Sequence, residues 1–510
     1  MPQESRVKKS LLNARINLIF YFLSLVFAFF SRKTYLDMLG DDFMGLTGTL
    51  QNLLSFLNLA ELGIGSAIGY VLYKPLYTQN HEKINEIISV FGYIYRQIGF
   101  IILGGGIIMG GCLPFIFPNS IFPLGVTFFA FSSYLFTSLI SYFINYKQTL
   151  LSADQKNYVV TAYFQSAVLI KTILQIACAY YTRNFYLWIS MEVLLGITYS
   201  LILNWKIKQV YPWLKSEIRL GRKIFRKYPE VITYTKQIFI HKMGSFVQSQ
   251  TVPFLIYAFV SLKIVAFYGN YTIIVDKVAQ FVNNLLGSTS AGVGNLIAEG
   301  NTQKIKQVFW ELLGIRFFIA GIISFALFHL TEPFISLWIG KEYILSTHIL
   351  FLIILNTFIG YTRGATDQFL YGYGLFSDTW APITEICINL TVAIIGGYLW
   401  GLPGVLLGGI TSLIIIITFW KPYFLFKAGF KTSIWIYWWK YLTHLFLILL
   451  PGFACHIIIL PKYFRPETSF LQWILYAVCI CITYALLTYL LLYLFTQGIR
   501  DFTHRIIKRK

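Results

Sequence analysis

Long apolar runs separated by short polar connections recur along this chain from end to end. A helix needs about 20 residues to cross the hydrocarbon core of a bilayer. On that measure the pattern predicts fourteen helices. Six fall near residues 14–38, 43–73, 83–112, 121–146, 156–181 and 185–207. Six more fall near 232–259, 263–298, 304–331, 344–371, 378–400 and 402–426, and a last pair near 433–459 and 468–497. The short loops order themselves by charge. Lys74 and Lys83, Lys147 and Lys156, Lys304 and Lys306, Lys421, Lys427 and Lys431 share one side with both basic ends of the chain, whereas the connections around Pro114–Pro123 and Gly401–Pro403 carry no base. The positive-inside rule places that basic side, and both termini, in the cytoplasm, which requires an even number of crossings.

One stretch is written twice. Arg32–Lys83 contains the glycines Gly63, Gly65 and Gly69, and a fainter copy lies at Leu262–Lys304. Asn301 to Ile305 (NTQKI) echo Asn80 to Ile84 (NHEKI) at an offset of 221 residues, and Ser290-Ala291 echo Ser66-Ala67 at 224. A near-constant offset implies a duplicated unit of six helices. An even-numbered unit starts each copy on the same side, so the repeats are parallel, and transport proteins built this way place substrate between the halves. The expected organisation is an N-terminal lobe (1–210), a basic linker (211–231), a C-terminal lobe (232–428) and two appended helices with a basic tail (429–510). The basic segment Lys206–Lys227, with Lys208, Lys215, Arg219, Arg222, Lys223, Arg226 and Lys227, suits an element lying on anionic head groups and fixing orientation.

Composition agrees with a membrane-embedded chain. Of 510 residues 57% are hydrophobic and 12% charged, with mean hydropathy +0.65, against about 25% charged in soluble proteins. The formal charge of +20 is spread between apolar runs rather than along one face, which speaks for membrane orientation and against nucleic acid. The first apolar run continues past the length of a signal peptide with no small-residue cleavage site, so it is expected to be retained. The six cysteines lie inside apolar runs without metal-ligand spacing, as packing residues do. No Walker sequence or nucleophile elbow occurs, so neither ATP hydrolysis nor catalysis is expected of this chain, and no cofactor is implied beyond H⁺ or Na⁺ coupling.

The charges within the apolar runs carry the chemistry, because each needs a partner or water. Lys242 falls near the midplane of the seventh helix, and Asp276-Lys277 fall roughly 20 Å into the eighth. Lys171 and Glu192 lie at similar depth and either neutralise each other or serve a ligand. Arg363 is placed to pair with Asp367 one turn on or with Glu385, or to serve a ligand; Arg316 has no local acid. Arg32 and Lys33 interrupt the first helix with only Asp37 nearby; they either snorkel to the interface or line a cavity. Together Arg32, Lys33, Lys171, Lys242, Lys277 and Arg363 form an expected cationic, anion-binding set. Phosphate or diphosphate is the natural complement, through charge-assisted hydrogen bonds. Glu61, alone in the second helix, and Asp276 are the candidates for ion coupling, with capping by Asn58 and backbone the structural alternative for Glu61. The glycines beside Glu61 read as helix packing rather than a phosphate loop.

The block Asn58-Leu-Ala-Glu-Leu-Gly-Ile-Gly-Ser-Ala-Ile-Gly69, with Tyr73-Lys-Pro-Leu-Tyr77 and Asn85-Glu-Ile-Ile-Ser89, resembles bacterial polysaccharide biosynthesis membrane proteins. These are the O-antigen and exopolysaccharide flippases of the multidrug/oligosaccharidyl-lipid/polysaccharide (MOP) exporter superfamily. The resemblance implies an all-α integral membrane fold, MATE-like and V-shaped, with two six-helix bundles that alternate between inward-open and outward-open states. It implies an undecaprenyl-pyrophosphate-linked oligosaccharide as substrate, carried to the outer leaflet of the bacterial inner membrane for O-antigen, lipopolysaccharide, capsule or exopolysaccharide synthesis, with a polysaccharide polymerase as partner. In the related lipid II flippases the first helix carries Arg followed by Asp; Arg32 matches the Arg, but Lys33 replaces the acid, which argues against lipid II itself. Asp276-Lys277 match an Asp-Arg of the eighth helix, with Lys for Arg.

Two other readings stand beside this one. A cation-coupled multidrug antiporter of the same superfamily would need an acidic cluster, and the deep charges are mostly basic. A membrane polymerase or ligase would need a large outward loop, and the longest expected one spans only about Glu332–Thr347.

Overall fold

The computed structural model describes residues 6–61, 64–118, 121–154, 156–229, 239, 243, 246–247, 250–286, 293, 296–297, 299–375, 377–458 and 466–507. Among them every regular element is helical. The chain divides into two compact units, Met1–Tyr257 with Ser261–Ala266, and Ala258–Val260 with Phe267–Lys510.

Unit 1 contains α1 (Arg6–Leu39), α2 (Asp41–Leu57), a short 3₁₀ turn at Asn58–Glu61, α3 (Ile64–Tyr77), α4 (His81–Ile116) and α5 (Leu124–Phe143). There follow the short α6 (Gln148–Ala153), α7 (Asn157–Thr182), α8 (Phe185–Val210), the surface helix α9 (Ile218–Ile224) and most of α10 (Gln250–Phe259). The chain packs α1 along α7, α4 against α5, and α8 against both α5 and α7. Phe43, Leu46, Leu50, Ile68, Phe91 and Phe131 are fully buried at their junctions. The expected second span, 43–73, is interrupted at the 3₁₀ turn, because the polar Asn58 and Glu61 are bonded by neighbouring helices rather than lying in a continuous apolar face.

Unit 2 takes most of α11 (Leu262–Leu286), then α12 (Thr302–Trp338), α13 (Thr347–Thr362), α14 (Gly364–Gly372), α15 (Trp380–Trp400), α16 (Leu402–Phe430), α17 (Trp435–Ile458), α18 (Phe470–Phe495) and the amphipathic α19 (Gln497–Ile507). Much of α16 is wound in wider π turns, over Leu413–Trp420 and Leu425–Phe430. The appended helices α17 and α18 pack on α12, where Tyr484 stacks on Phe325 with ring centroids 4.3 Å apart and donates to the Ile448 carbonyl at 2.9 Å.

The sequence echo has a structural counterpart. Asn80 and Asn301 each accept a hydrogen bond from the backbone N–H three residues on, at 2.9 and 3.0 Å, an N-cap that satisfies an orphan donor. Each cap opens an exceptionally long helix, 36 residues in α4 and 37 in α12, and each helix carries a proline near its end, Pro114 and Pro333.

Eleven helices among the described residues are long and apolar enough to cross a membrane. The three remaining expected spans are the interrupted α2–α3 stretch, the stretch ending in α10, and α11, whose Asp276 and Lys277 interrupt its apolar run. The outer faces are oily: Val26, Phe30, Ile107, Ile108, Phe115, Leu471, Leu486 and Phe495 are each more than half exposed. Water would penalise so much exposed apolar surface, and lipid does not. Tyr181, Tyr398, Trp400, Trp435 and Trp439, all strongly exposed, sit at helix ends, as interfacial aromatic belts do. The protein is a multi-pass membrane protein.

Candidate functional site

In unit 1 the interruption between α2 and α3 brings Glu61 against α4 and α5. A carboxylate in apolar surroundings is costly unless donors replace its water. Here the Tyr95 hydroxyl of α4 donates to Oε1, and the Tyr142 hydroxyl of α5 lies 2.7 Å from Oε2. Tyr142 also reaches Asn58 Oδ1 at 3.1 Å, which accepts from Ser138 as well at 3.0 Å. Both tyrosines are buried. A phenol has a single hydrogen to donate, yet Tyr142 faces two acceptors. With Glu61 ionised, that hydrogen goes to the carboxylate. With Glu61 protonated, the carboxylic acid donates to Tyr142, which then donates to Asn58. Rotation of one hydroxyl therefore accommodates either protonation state.

Arg32 sits in the second half of α1 and donates from Nη2 to the main-chain carbonyl of Ala266 at 2.8 Å, a contact within unit 1. Lys33 is exposed. One turn on, Tyr35 donates to the Thr172 carbonyl at 3.4 Å, beside Lys171 in the chain, and packs edge-on against Trp188. Lys171 itself meets Glu192 of α8, with Nζ 2.9 Å from both carboxylate oxygens. The two charges neutralise each other. Lys242 lies outside the described residues.

In unit 2, Asp276 is exposed on α11 and Lys277 half-buried. Arg363, where α13 meets α14, holds Asp367 one turn on, Nε to Oδ2 at 2.7 Å. Glu385 of α15 is buried in the field of Arg363 and Lys421. Arg316 of α12 belongs to the same cluster: its guanidinium lies so close to Gly364 that a Cβ there would stand 2.6 Å from Cζ, and it feels the charge of Asp367. Two arginines thus share the region of Asp367.

Sequence reasoning missed several partners. Tyr95 and Tyr142 bond Glu61, and Ser138 bonds the neighbouring Asn58, from other helices, and none carries a motif. Asp378, almost fully buried, takes Lys421 at 2.7 Å and the Trp420 indole N–H at 3.1 Å. Glu311, buried in α12, pairs with Arg505 of α19. Among the described residues no group of three or more His, Cys, Asp or Glu is placed to hold a metal ion.

No family model and no curated protein matches this chain. Solved structures do. A lipid II flippase MurJ in an inward closed conformation matches over 93% of this chain and 98% of its own, with a TM-score of 0.57 and 15% identity. An inward-facing multidrug resistance MATE family transporter of the MOP superfamily matches over 82% and 99%, with a TM-score of 0.58 and 13% identity. The outward-facing MATE transporter gives 84% and 98%, 0.54 and 12%. The chain has the helical membrane fold shared by the MurJ flippase and the MATE transporters.

Proposed function

We propose that this chain is a MOP-type flippase. It carries an undecaprenyl-pyrophosphate-linked oligosaccharide from the cytoplasmic to the outer leaflet of a bacterial cytoplasmic membrane, for O-antigen, capsule or exopolysaccharide synthesis. The lobes 1–210 and 232–428 alternate in access, with both termini cytoplasmic and a polysaccharide polymerase downstream. The observation that carries this reading is a set of intramembrane cations distributed over both units, on a fold shared with a lipid II flippase. Arg32, Lys33, Lys242, Lys277 and Arg363 grip the diphosphate, whose charge complements theirs. Arg363 does so as part of its cluster with Asp367. A ligand shifts the two states only by its differential affinity for them, so the cations must hold the diphosphate less well when outward-facing. Glu61, and Asp276 beside Lys277, are the coupling groups, and the rotating Tyr142 hydroxyl suits Glu61 to H⁺.

The same Glu61 network favours a second reading, a cation-coupled multidrug antiporter. Complementation separates them. In a strain lacking its own flippase, the wild-type chain is expected to restore surface polysaccharide, and Arg32→Ala or Lys277→Ala at equal membrane abundance to lower it about tenfold or more. Full activity of both variants would remove the electrostatic basis of the flippase reading; drug resistance without surface polysaccharide would establish the antiporter.

A further inference from the structure

Beside the Lys171–Glu192 pair, unit 1 holds a cavity of about 120 Å³ between α5, α7 and α8. At ~30 Å³ per molecule that is room for about four waters, or for one hydroxyl-bearing edge of a sugar ring. Its lining is largely apolar, with Ile140, Val168, Leu195 and the ring of Phe164, and the polar groups of Thr137, Ser141, Asn145, Tyr199 and Ser200 are set among them. Phe164 and Tyr199 lie edge to face, 5.4 Å between centroids. Asn145 is held by Ser200 at 2.9 Å and by Asn204 at 3.1 Å, which fixes the polar wall in place.

The chemistry of this cavity differs from that expected of an anion site. Lys171 is satisfied by both oxygens of Glu192, so the pair brings no net charge to a diphosphate. It brings a donor and an acceptor side by side, 22% and 20% exposed. A polyol needs that alternation, because each hydroxyl both gives and accepts a hydrogen bond. An aromatic ring beside it offers an apolar face for the C–H side of a pyranose.

We propose that this cavity is a subsite for the hydroxyl-bearing edge of one neutral sugar ring of the transported lipid, with Lys171 and Glu192 bonding its hydroxyls and the exposed Phe164 beside the rest of the ring. The inference rests on the flippase reading and reassigns Lys171 from the diphosphate to the glycan.

The test uses the full chain in proteoliposomes and two fluorescent probes: a polyprenyl diphosphate carrying a neutral tetrasaccharide, and the same lipid without sugar. Two variants are compared with wild type. Lys171→Leu with Glu192→Leu removes the pair together, leaving no buried charge unpaired; Ser141→Leu fills the cavity and leaves the pair intact. Both are expected to slow the glycosylated probe tenfold or more and the bare diphosphate less than twofold, with thermal melting unchanged within the error of replicates. Equal slowing of both probes, or of neither, overturns the sugar subsite. Loss of melting stability in the double variant transfers the decision to Ser141→Leu alone. If wild type moves neither probe, the flippase reading fails, and the sugar subsite fails with it.

Discussion

Glu61, the coupling group of the proposed function, is held by two phenols and not by fixed cations. Glu61→Gln keeps the size and most hydrogen bonds but cannot release a proton. Transport driven by an imposed pH gradient is expected to fall about tenfold or more, while facilitated exchange without a gradient persists; a gradient response equal to wild type would contradict proton coupling. Glu311 makes a different point about charge. Its carboxylate is buried and faces Arg505, so Arg505→Ala leaves it without that partner, at a cost of about 1.5–3 kcal/mol, read as a lower melting temperature in detergent. At this scale legibility followed sequence distance. Arg363–Asp367 was readable from helical spacing, and Lys171–Glu192 from matched depth on adjacent helices. The partners of Glu61 lie 34 and 81 residues away, and nothing local in a tyrosine announces that it will meet a carboxylate.

Helices here are fastened by small residues as much as by large ones. Helix α9 buries Gly221, Ile224 and, just beyond it, Tyr228 toward α4, while Arg219, Arg222, Lys223, Arg226 and Lys227 stay exposed. A Cβ at Gly221 would collide with the main-chain carbonyl of Ser89, whose side chain also accepts from the Glu217 N–H at 2.9 Å. Tyr228 donates to Glu86 at 2.7 Å, and His81 stacks on Trp213 at 3.9 Å. The basic segment read from sequence as suited to lipid head groups is held against the N-terminal end of α4, with its basic side chains left exposed. Gly221→Leu is expected to detach it at about 1–3 kcal/mol, seen as faster protease cleavage within residues 211–229; an unchanged cleavage rate would refute the docking. Backbones also meet directly between α15 and α16, where Gly396 and Gly404 leave no room for a Cβ on either. The glycines beside Glu61 read as packing residues, but nothing local marked Gly221, whose partner Ser89 lies 221 − 89 = 132 residues earlier, or the pairing of Gly396 with Gly404.

Across the whole chain, the apolar pattern made the membrane class and the run of helices readable, since hydrocarbon thickness fixes helix length. The duplication was readable from a few residues because they are caps, and the geometry of a cap constrains its side chain. What escaped was the partnering of polar groups across helices, which periodicity does not encode. With both termini cytoplasmic as proposed, cysteines placed singly near each end of the described chain are expected to react with an impermeant maleimide only in inverted vesicles; labelling of one end in intact spheroplasts would break the parallel-repeat scheme. The charged α11 has a consequence for how the protein is made. A translocon releases a segment sideways into lipid when its apolar content suffices, and α11 with its Asp276-Lys277 falls short of that measure. Such a helix must wait for a neighbour, and the long, oily α12 follows it directly. Entry of α11 is then tied to that of its successor, whereas α1, α7 and α8 carry their charges on runs apolar enough to enter alone.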